Sequence, residues 1–160
     1  MTERGEALAA EIGRRARELD ALIVEISPAS WPLTSPEGWS LGFVAHHITL
    51  GLARQRRWIE RRLRSGTVHE FSWDTTNELN ARLVRRIGLP DAAVVRRCLR
   101  ERGDAMIALV RRVTDEELDM DAFTFGEHRR SIEWVIRRVA LRHIDEHVAS
   151  ITAALATATG

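Results

Sequence analysis

Apolar residues recur at intervals of three and four along nearly the whole chain, and this spacing constrains the fold more than any other feature. It predicts four long helices, over about 3–26, 40–65, 91–112 and from 131 to the mid-150s, with a shorter helix over about 75–87. No stretch shows the strict alternation of a half-buried strand. The sequence therefore predicts an all-α protein, a four-helix bundle with an extra short helix in a connector.

The breaks between the predicted helices carry residues that suit them. Residues 27–38 hold three of the four prolines, which lack an amide donor and fix the backbone, so this segment is predicted to be a loop. Ser40 and Asp91 are suited to cap the helices that follow, because their side-chain oxygens can accept hydrogen bonds from free amides of the first turn. We interpret residues 66–76 and 114–130 as connectors, the second with a short turn at Asp115–Leu118.

Length and charge narrow the class of protein. At 160 residues the chain is predicted to form one domain, over 1–160, with a substantial core. All 24 basic residues are arginine, and 23 acidic residues accompany them, so we expect solvated helix surfaces and no interface for nucleic acid. No apolar run is long enough to cross a membrane. The single cysteine excludes an intrachain disulfide, and a reducing cytoplasm is the expected location.

Histidines give the clearest indication of function. His143 and His147 are four residues apart, which on a helix places both imidazoles on one face. At about 100° per residue, both fall within the apolar stripe of the last helix. Buried imidazoles are costly unless they are hydrogen-bonded or ligated, so the pair is either a satisfied core pair or two ligands of a metal ion. A third histidine would complete a site with an open position, which is typical of catalytic or ligand-binding metals.

Periodicity does not identify that third histidine. His46 and His47 flank the apolar stripe of the second helix on opposite sides, each about 130° from it. Either could face a neighbouring helix, or both could be surface or capping residues. His69 and His128 fall in connectors, where we expect them to face solvent. The segment HIDEH also lacks a glutamate directly after its first histidine, so the general base of the HExxH metalloproteases is missing from its place.

Three segments, in this order and at these separations, resemble the DinB-like superfamily of four-helix bundles, which is related to the mycothiol-dependent maleylpyruvate isomerases. The second helix opens on a Trp-Ser pair with a histidine eight residues after the tryptophan, a polar segment precedes the third bundle helix, and a histidine pair lies near the C-terminus. These features correspond to Trp39-Ser40 with His47, to Trp73-Asp74 with Asn77 and Asn80, and to His143, His147 and Ile151. The resemblance covers nearly the whole chain.

The resemblance implies a metal site and selects its third ligand. By the spacing from the Trp-Ser pair, the ligand is His47 and not His46. The implied cofactor is a divalent metal ion, often zinc or nickel, held by His47, His143 and His147 with water or substrate completing the shell. Homodimers are common in the superfamily, so a homodimer is also implied.

The implied activity has two forms. Some members are transferases or isomerases that use mycothiol or bacillithiol, which implies a metal-dependent enzyme acting on a small-molecule substrate with a low-molecular-weight thiol cosubstrate. The alternative is a non-catalytic, stress-related bundle that binds metal or senses a ligand. The sequence shows no glycine-rich phosphate loop and no GxSxG nucleophile motif, and it identifies no catalytic residue.

Two residues of the second helix are candidates for binding the thiol cofactor. Arg54 and Trp58 follow His47 by seven and eleven residues, on roughly the same side of the helix. An arginine there could hold a carboxylate of the thiol or of the substrate. Trp39 and Trp73 are further candidates to line a pocket. The competing interpretation is that Arg54 lies on the surface and the tryptophans belong to the core.

Overall fold

The computed structural model, which describes residues 2–158, contains the predicted bundle. In chain order the helices are α1 (Glu3–Glu25), α2 (Leu41–Ser65), α3 (Trp73–Ile87), α4 (Ala92–Val110), α5 (Asp115–Leu118), α6 (Ile132–Trp134) and α7 (Arg142–Ala158), with a π-helical segment, Val135–Leu141, between α6 and α7. Both α1 and α2 pack against α4, and α2 also packs against α7. The four-helix bundle is confirmed, and α3 is the extra short helix in a connector. None of the described helices is both long and apolar enough to cross a membrane.

The predicted caps lie at the helix starts. The hydroxyl of Ser40 accepts a hydrogen bond from the amide of Phe43 at 3.1 Å, and the carboxylate of Asp91 accepts one from the amide of Ala93 at 2.8 Å. Both side chains satisfy amides that have no partner within the helix. Gly66 ends α2 with φ +72°, a left-handed conformation that glycine adopts without a steric penalty. Local sequence therefore sets where α2 and α4 begin and where α2 ends.

A small three-stranded sheet lies in the two segments that we interpreted as connectors, where no strand was predicted, whereas the short turn at Asp115–Leu118 is present as α5. Strand β2 (Asp121–Phe125) pairs antiparallel with β3 (His128–Ser131), and β1 (His69–Glu70) pairs parallel with β2. Strands of two to five residues are too short to show a clear alternation of apolar and polar positions. The partner of β1 also lies far along the chain, so local sequence carries no signal of the pairing.

The last helix is not a continuous α-helix as predicted. Within Val135–Leu141 the buried pairs Val135-Ile136 and Ala140-Leu141 are five residues apart. In an α-helix, positions five apart differ by about 140° around the axis, whereas π-helical winding brings them to one side. The change of winding alters the face that α7 presents. His143 and His147 are partly buried, on the same part of α7 as the buried Ile144.

The proline-rich loop before α2 is anchored to the bundle through Trp31. Its indole N–H donates to the carbonyl of Pro90 at 2.7 Å, and its carbonyl accepts from the amide of Gly42 at 3.1 Å. A Cβ on Gly42 would lie 2.5 Å from the indole nitrogen of Trp31, so glycine is needed for this approach. The loop is thereby held against the start of α2, close to the histidines described below.

The close approach at Gly42 leads to a stability prediction. We expect Gly42→Ala to lower the free energy of unfolding by about 1–3 kcal/mol, because Trp31 must shift to admit the methyl group. The control is Gly103→Ala in α4, where a Cβ meets only Ala16 at 3.7 Å, an ordinary contact. This control should be neutral or gain up to about 1 kcal/mol from helix propensity. The free energies of unfolding of both variants and of the wild type are measured by urea unfolding. A Gly42→Ala variant as stable as the wild type would contradict the prediction.

Candidate metal centre

Three histidines from two helices converge at one side of the bundle. His47 lies on α2, and His143 and His147 lie on α7. One ring nitrogen from each lies within 4.8 Å of the other two, and the Nε2 atoms of His47 and His143 are 3.0 Å apart. Among residues 2–158 this is the only group of three or more His, Cys, Asp or Glu side chains that can hold a metal ion. The structure therefore brings the three predicted ligands together.

The environment keeps two of the three imidazoles, those of His47 and His143, uncharged. His47 is 5% exposed, and its burial, with contributions from His143 and His147, lowers its pKa to about 2. Burial likewise lowers the pKa of His143 to about 3, and the neighbouring His147 adds to this shift. Both rings are therefore neutral at pH 7 and have a free lone pair, the form that binds metal ions.

The donor set fits a divalent transition-metal ion. Imidazole nitrogen suits zinc, nickel, copper and iron, and zinc–nitrogen bonds of about 2.0–2.1 Å in a tetrahedral site place the ligand nitrogens about 3.4 Å apart. The distances here, from 3.0 Å to at most 4.8 Å, bracket that value. The Nδ1 atom of His47 is buried without a hydrogen-bond partner among the described residues. Three protein ligands leave a position for water or substrate.

Gly51 provides the space that His143 occupies. It lies one turn after His47 on α2, and a Cβ there would be 2.7 Å from Cε1 and 2.9 Å from Nδ1 of His143. Any side chain at this position would push the imidazole away from His47. Sequence reasoning missed this residue. A glycine inside a helix, four residues after a candidate ligand, was the available signal.

His147 is bound from its other side by Glu37, which sequence reasoning also missed. Its Nδ1 atom lies 2.9 Å from Oε1 of Glu37, and the hydroxyl of Ser150 donates to the other carboxylate oxygen. Burial alone would raise the pKa of Glu37, but hydrogen bonds from Ser150 and Ser35, then from its own backbone and from His147, hold the pKa below its usual value. The ionised carboxylate can only accept, so Nδ1 of His147 donates, and in the neutral tautomer that this contact favours the lone pair is on Nε2.

The remaining histidines do not join the cluster. His46 is buried on the other side of α2, where burial and then the charge of Arg102 lower its pKa. Neither His46 nor His47 is a surface residue, and it is His47 that faces α7. His128 is exposed, as predicted. The expectation that His69 faces solvent was wrong, because its ring is partly buried and stacks on Trp58 at a centroid distance of 4.0 Å.

Arg54 and Trp58 lie further along the same side of α2. The partly buried Arg54 makes no hydrogen bond or ion pair with any of the residues that the structure describes, and burial lowers its pKa. Its charge contributes to the lowered pKa of His47, His143 and His69. Trp58, one turn after Arg54 on α2, stacks its ring on that of His69. Burial, with Arg61 and Arg54 adding, lowers the pKa of His69 to about 4.

Of the other two tryptophans proposed to line a pocket, Trp39 and Trp73, only one lies at the histidines. The ring of Trp39 packs edge-on against His47 at 5.0 Å and lies roughly parallel to His147 at 6.4 Å. Trp73 is 59% exposed and contacts Phe71 instead. Trp39 therefore covers part of the candidate metal centre, and Trp73 does not.

Comparison with known proteins identifies the family. The crystal structure of an uncharacterized protein from Clostridium difficile 630 has the same fold, with a TM-score of 0.71, 16% sequence identity and 96% of each chain covered. No curated protein matches the chain. The sequence model of the DinB superfamily matches residues 11–151, which include all three histidines. The chain, with its helical bundle and possible three-histidine metal site, belongs to the DinB superfamily.

Proposed function

We propose that the chain is a divalent-metal-dependent enzyme that acts on a small molecule, using a low-molecular-weight thiol of the mycothiol or bacillithiol type in an S-transfer or isomerisation reaction. The observation that carries the proposal is the cluster of His47, His143 and His147, whose ligand atoms lie within 4.8 Å of one another. Structural zinc sites are closed by four protein ligands, whereas three leave a position for a reactant. Zinc and nickel are the proposed metals.

In this proposal the three histidines hold the ion as neutral ligands. When bound, the ion lowers the pKa of a coordinated thiol or water and so supplies a nucleophile at neutral pH. Trp39 packs against His47 and His147 and shields the centre from water on that side. No residue is assigned a catalytic role beyond these.

Arg54 is the proposed anchor for a carboxylate of the thiol or the substrate. A partly buried guanidinium without a partner among the described residues has lost part of its hydration, and no hydrogen bond or ion pair with them replaces it. A carboxylate can bind it through two parallel hydrogen bonds, which fixes orientation as well as position. Trp58, stacked on His69, offers an apolar face beside that anion. Arg54 and Trp58 are thus the proposed cofactor-binding residues.

The proposed anchor predicts a selective kinetic defect. We expect Arg54→Met to raise KM for a carboxylate-bearing thiol by about tenfold or more, since a charged hydrogen-bonded pair contributes about 1.5–3 kcal/mol. KM for an uncharged thiol such as 2-mercaptoethanol should not change. Arg57→Met, three residues on and exposed, is the control. Equal changes in KM for both thiols would contradict the proposed role of Arg54.

Metal analysis and an activity screen test the proposed function. Protein purified without chelator should contain about one equivalent of metal, and zinc or nickel should raise its melting temperature.

For the activity screen, thiols are combined with 1-chloro-2,4-dinitrobenzene in the presence of the metal-loaded protein. A carbon–sulfur bond forms, chloride leaves with its electron pair, and the thiol proton passes to solvent. Maleylpyruvate analogues test isomerisation. Metal below about 0.1 equivalent with no thermal shift overturns the proposal, and tight ligand binding without turnover favours the sensing alternative.

A homodimer in a reducing cytoplasm completes the proposal. None of the residues of α3 is buried, although Leu79 and Leu83 lie one turn apart along it. A second copy would cover this apolar face. The single cysteine and a thiol cosubstrate both suit a reducing compartment. Light scattering in solution measures the assembly, and a monomer at all micromolar concentrations would contradict the dimer.

A further inference from the structure

We infer that Glu37 is a positioning residue of the metal centre, which fixes the tautomer and the orientation of His147. This inference rests on the proposed function, because it requires the three histidines to bind an ion. It adds a residue from the loop before α2 to a site otherwise built from α2 and α7.

The contact has the geometry of an outer-shell hydrogen bond. Oε1 of Glu37 lies 2.9 Å from Nδ1 of His147, and the second carboxylate oxygen accepts from Ser150. His147 and Ser150 are three residues apart on one face of α7, so a single carboxylate bridges both. Because a carboxylate has no proton to donate, it places the imidazole proton on Nδ1 and leaves the Nε2 lone pair for an ion.

The contact is partly shielded from solvent, although Glu37 as a whole residue is exposed. The side chain of His147 is 15% exposed and that of Glu37 is 26% exposed. Pairs that are fully exposed to water contribute little, whereas a partly shielded hydrogen bond holds its geometry better. The other acidic residues near the pair differ in this respect. Asp145 and Glu146 are more than half exposed and pair with Arg15 and Arg142, away from the histidines.

The backbone around Glu37 is held in a defined turn. The amide of Gly38 donates to the carbonyl of Ser35 at 2.9 Å, and the amide of Ser35 donates to the carbonyl of Trp39 at 2.8 Å. Gly38 has φ +80°, a conformation that other residues rarely adopt. The turn presents Glu37 to His147, while Trp39 packs on His47. It therefore contacts two of the three proposed ligands through different side chains.

Metal affinity tests the inference directly. We expect Glu37→Ala to weaken zinc binding by about 10–100-fold, the usual effect of losing an outer-shell partner. Glu37→Gln should stay within a few-fold of wild type, because its amide oxygen can still accept from Nδ1. Glu146→Gln, on the exposed face of α7, is the matched control and should bind zinc as the wild type does. Competition with a chromogenic chelator gives the dissociation constants, and the visible spectrum of the cobalt-substituted protein reports ligand geometry.

A merely structural role for Glu37 gives a different pattern. It would lower the melting temperature of Glu37→Ala in chelator but leave the zinc affinity and the cobalt spectrum of the folded variant unchanged, and this result overturns the inference. If the wild type binds no zinc, the proposed metal function fails and the inference fails with it. If the wild type binds zinc and Glu37→Ala binds it equally well, only the inference fails.

Hydrogen exchange provides a test that needs no variant. Because the turn contacts His147 through Glu37, zinc should slow amide exchange in residues 35–40 of the wild type severalfold, relative to the same protein in chelator. This experiment remains decisive if Glu37→Ala does not fold. Unchanged exchange in 35–40 on saturation with zinc would overturn the inference.

Discussion

Replacing either His143 or His147 with alanine is expected to lower the bound metal from about one equivalent to below about a tenth. Loss of an outer-shell partner alone costs about 10–100-fold in affinity, and loss of a direct ligand removes one of only three metal–protein bonds. The remaining two nitrogens would hold zinc too weakly to survive purification. Turnover in the thiol assays should disappear together with the metal, because no other cluster among the described residues can replace the site.

The matched control for these variants is His46→Ala. His46 is the chain neighbour of His47 and is similarly buried, but it lies on the other side of α2, close to Arg102. Elemental analysis of each purified variant, with the thermal shift on adding zinc, makes the comparison. Full metal retention by His143→Ala or His147→Ala would show that the metal lies elsewhere. Loss of metal in His46→Ala to the same extent would show that packing, and not ligation, explains the result.

Gly51→Ala is expected to weaken zinc binding at least about tenfold without adding or removing any ligand atom. The new methyl group would lie 2.7 Å from Cε1 of His143, so the imidazole must move away from His47. Such a displacement is comparable in effect to losing the partner that orients a ligand. Alanine also favours the helix by about 1 kcal/mol over glycine, so the metal-free variant should unfold within about 1 kcal/mol of wild type.

Separating affinity from stability is the purpose of this variant. Zinc affinity and the cobalt spectrum report the position of His143, whereas urea unfolding in chelator reports the helix. The Gly103→Ala variant has the same chemical change in α4 and should keep wild-type affinity, because the contact there is an ordinary one. Unchanged zinc binding by Gly51→Ala would contradict the proposed role of His143 or the tight approach of α7 to α2.

The bundle could be predicted because its information is local. Apolar spacing defines α1, α2 and α4, and Ser40 and Asp91 carry their own capping oxygens. The sheet could not be predicted, since β1 pairs with a strand far along the chain and each strand is very short. The π-helical segment has a sequence pattern, two buried apolar pairs five residues apart. A step of 100° per residue assumes α-helical winding, so a search with that step does not detect the pattern.

The candidate site likewise has residues that local sequence indicated and residues that it could not. The interval of four between His143 and His147 is a local pattern and indicated a shared face. His46 and His47 are nearly symmetric about their stripe, so only the resemblance to a family favoured His47. Glu37 is 110 residues from His147 and lies in a loop without periodicity, so its contact exists only in three dimensions. His69 was misplaced because its burial depends on Trp58, a neighbour that only the folded chain supplies.

The π-helical segment sets the rotational phase of everything that follows it. The wider turns of Val135–Leu141 change the rotational position of α7 relative to α6. The segment therefore shifts the residues after it around the helix axis relative to the residues before it. Ile132 and Val135, before or at its start, are aligned for the core, and His143 and His147, after it, are aligned toward His47. The core residues Ile144 and Ile151 follow the segment together with the histidines, so both the packing of α7 and the direction of its histidines depend on this phase.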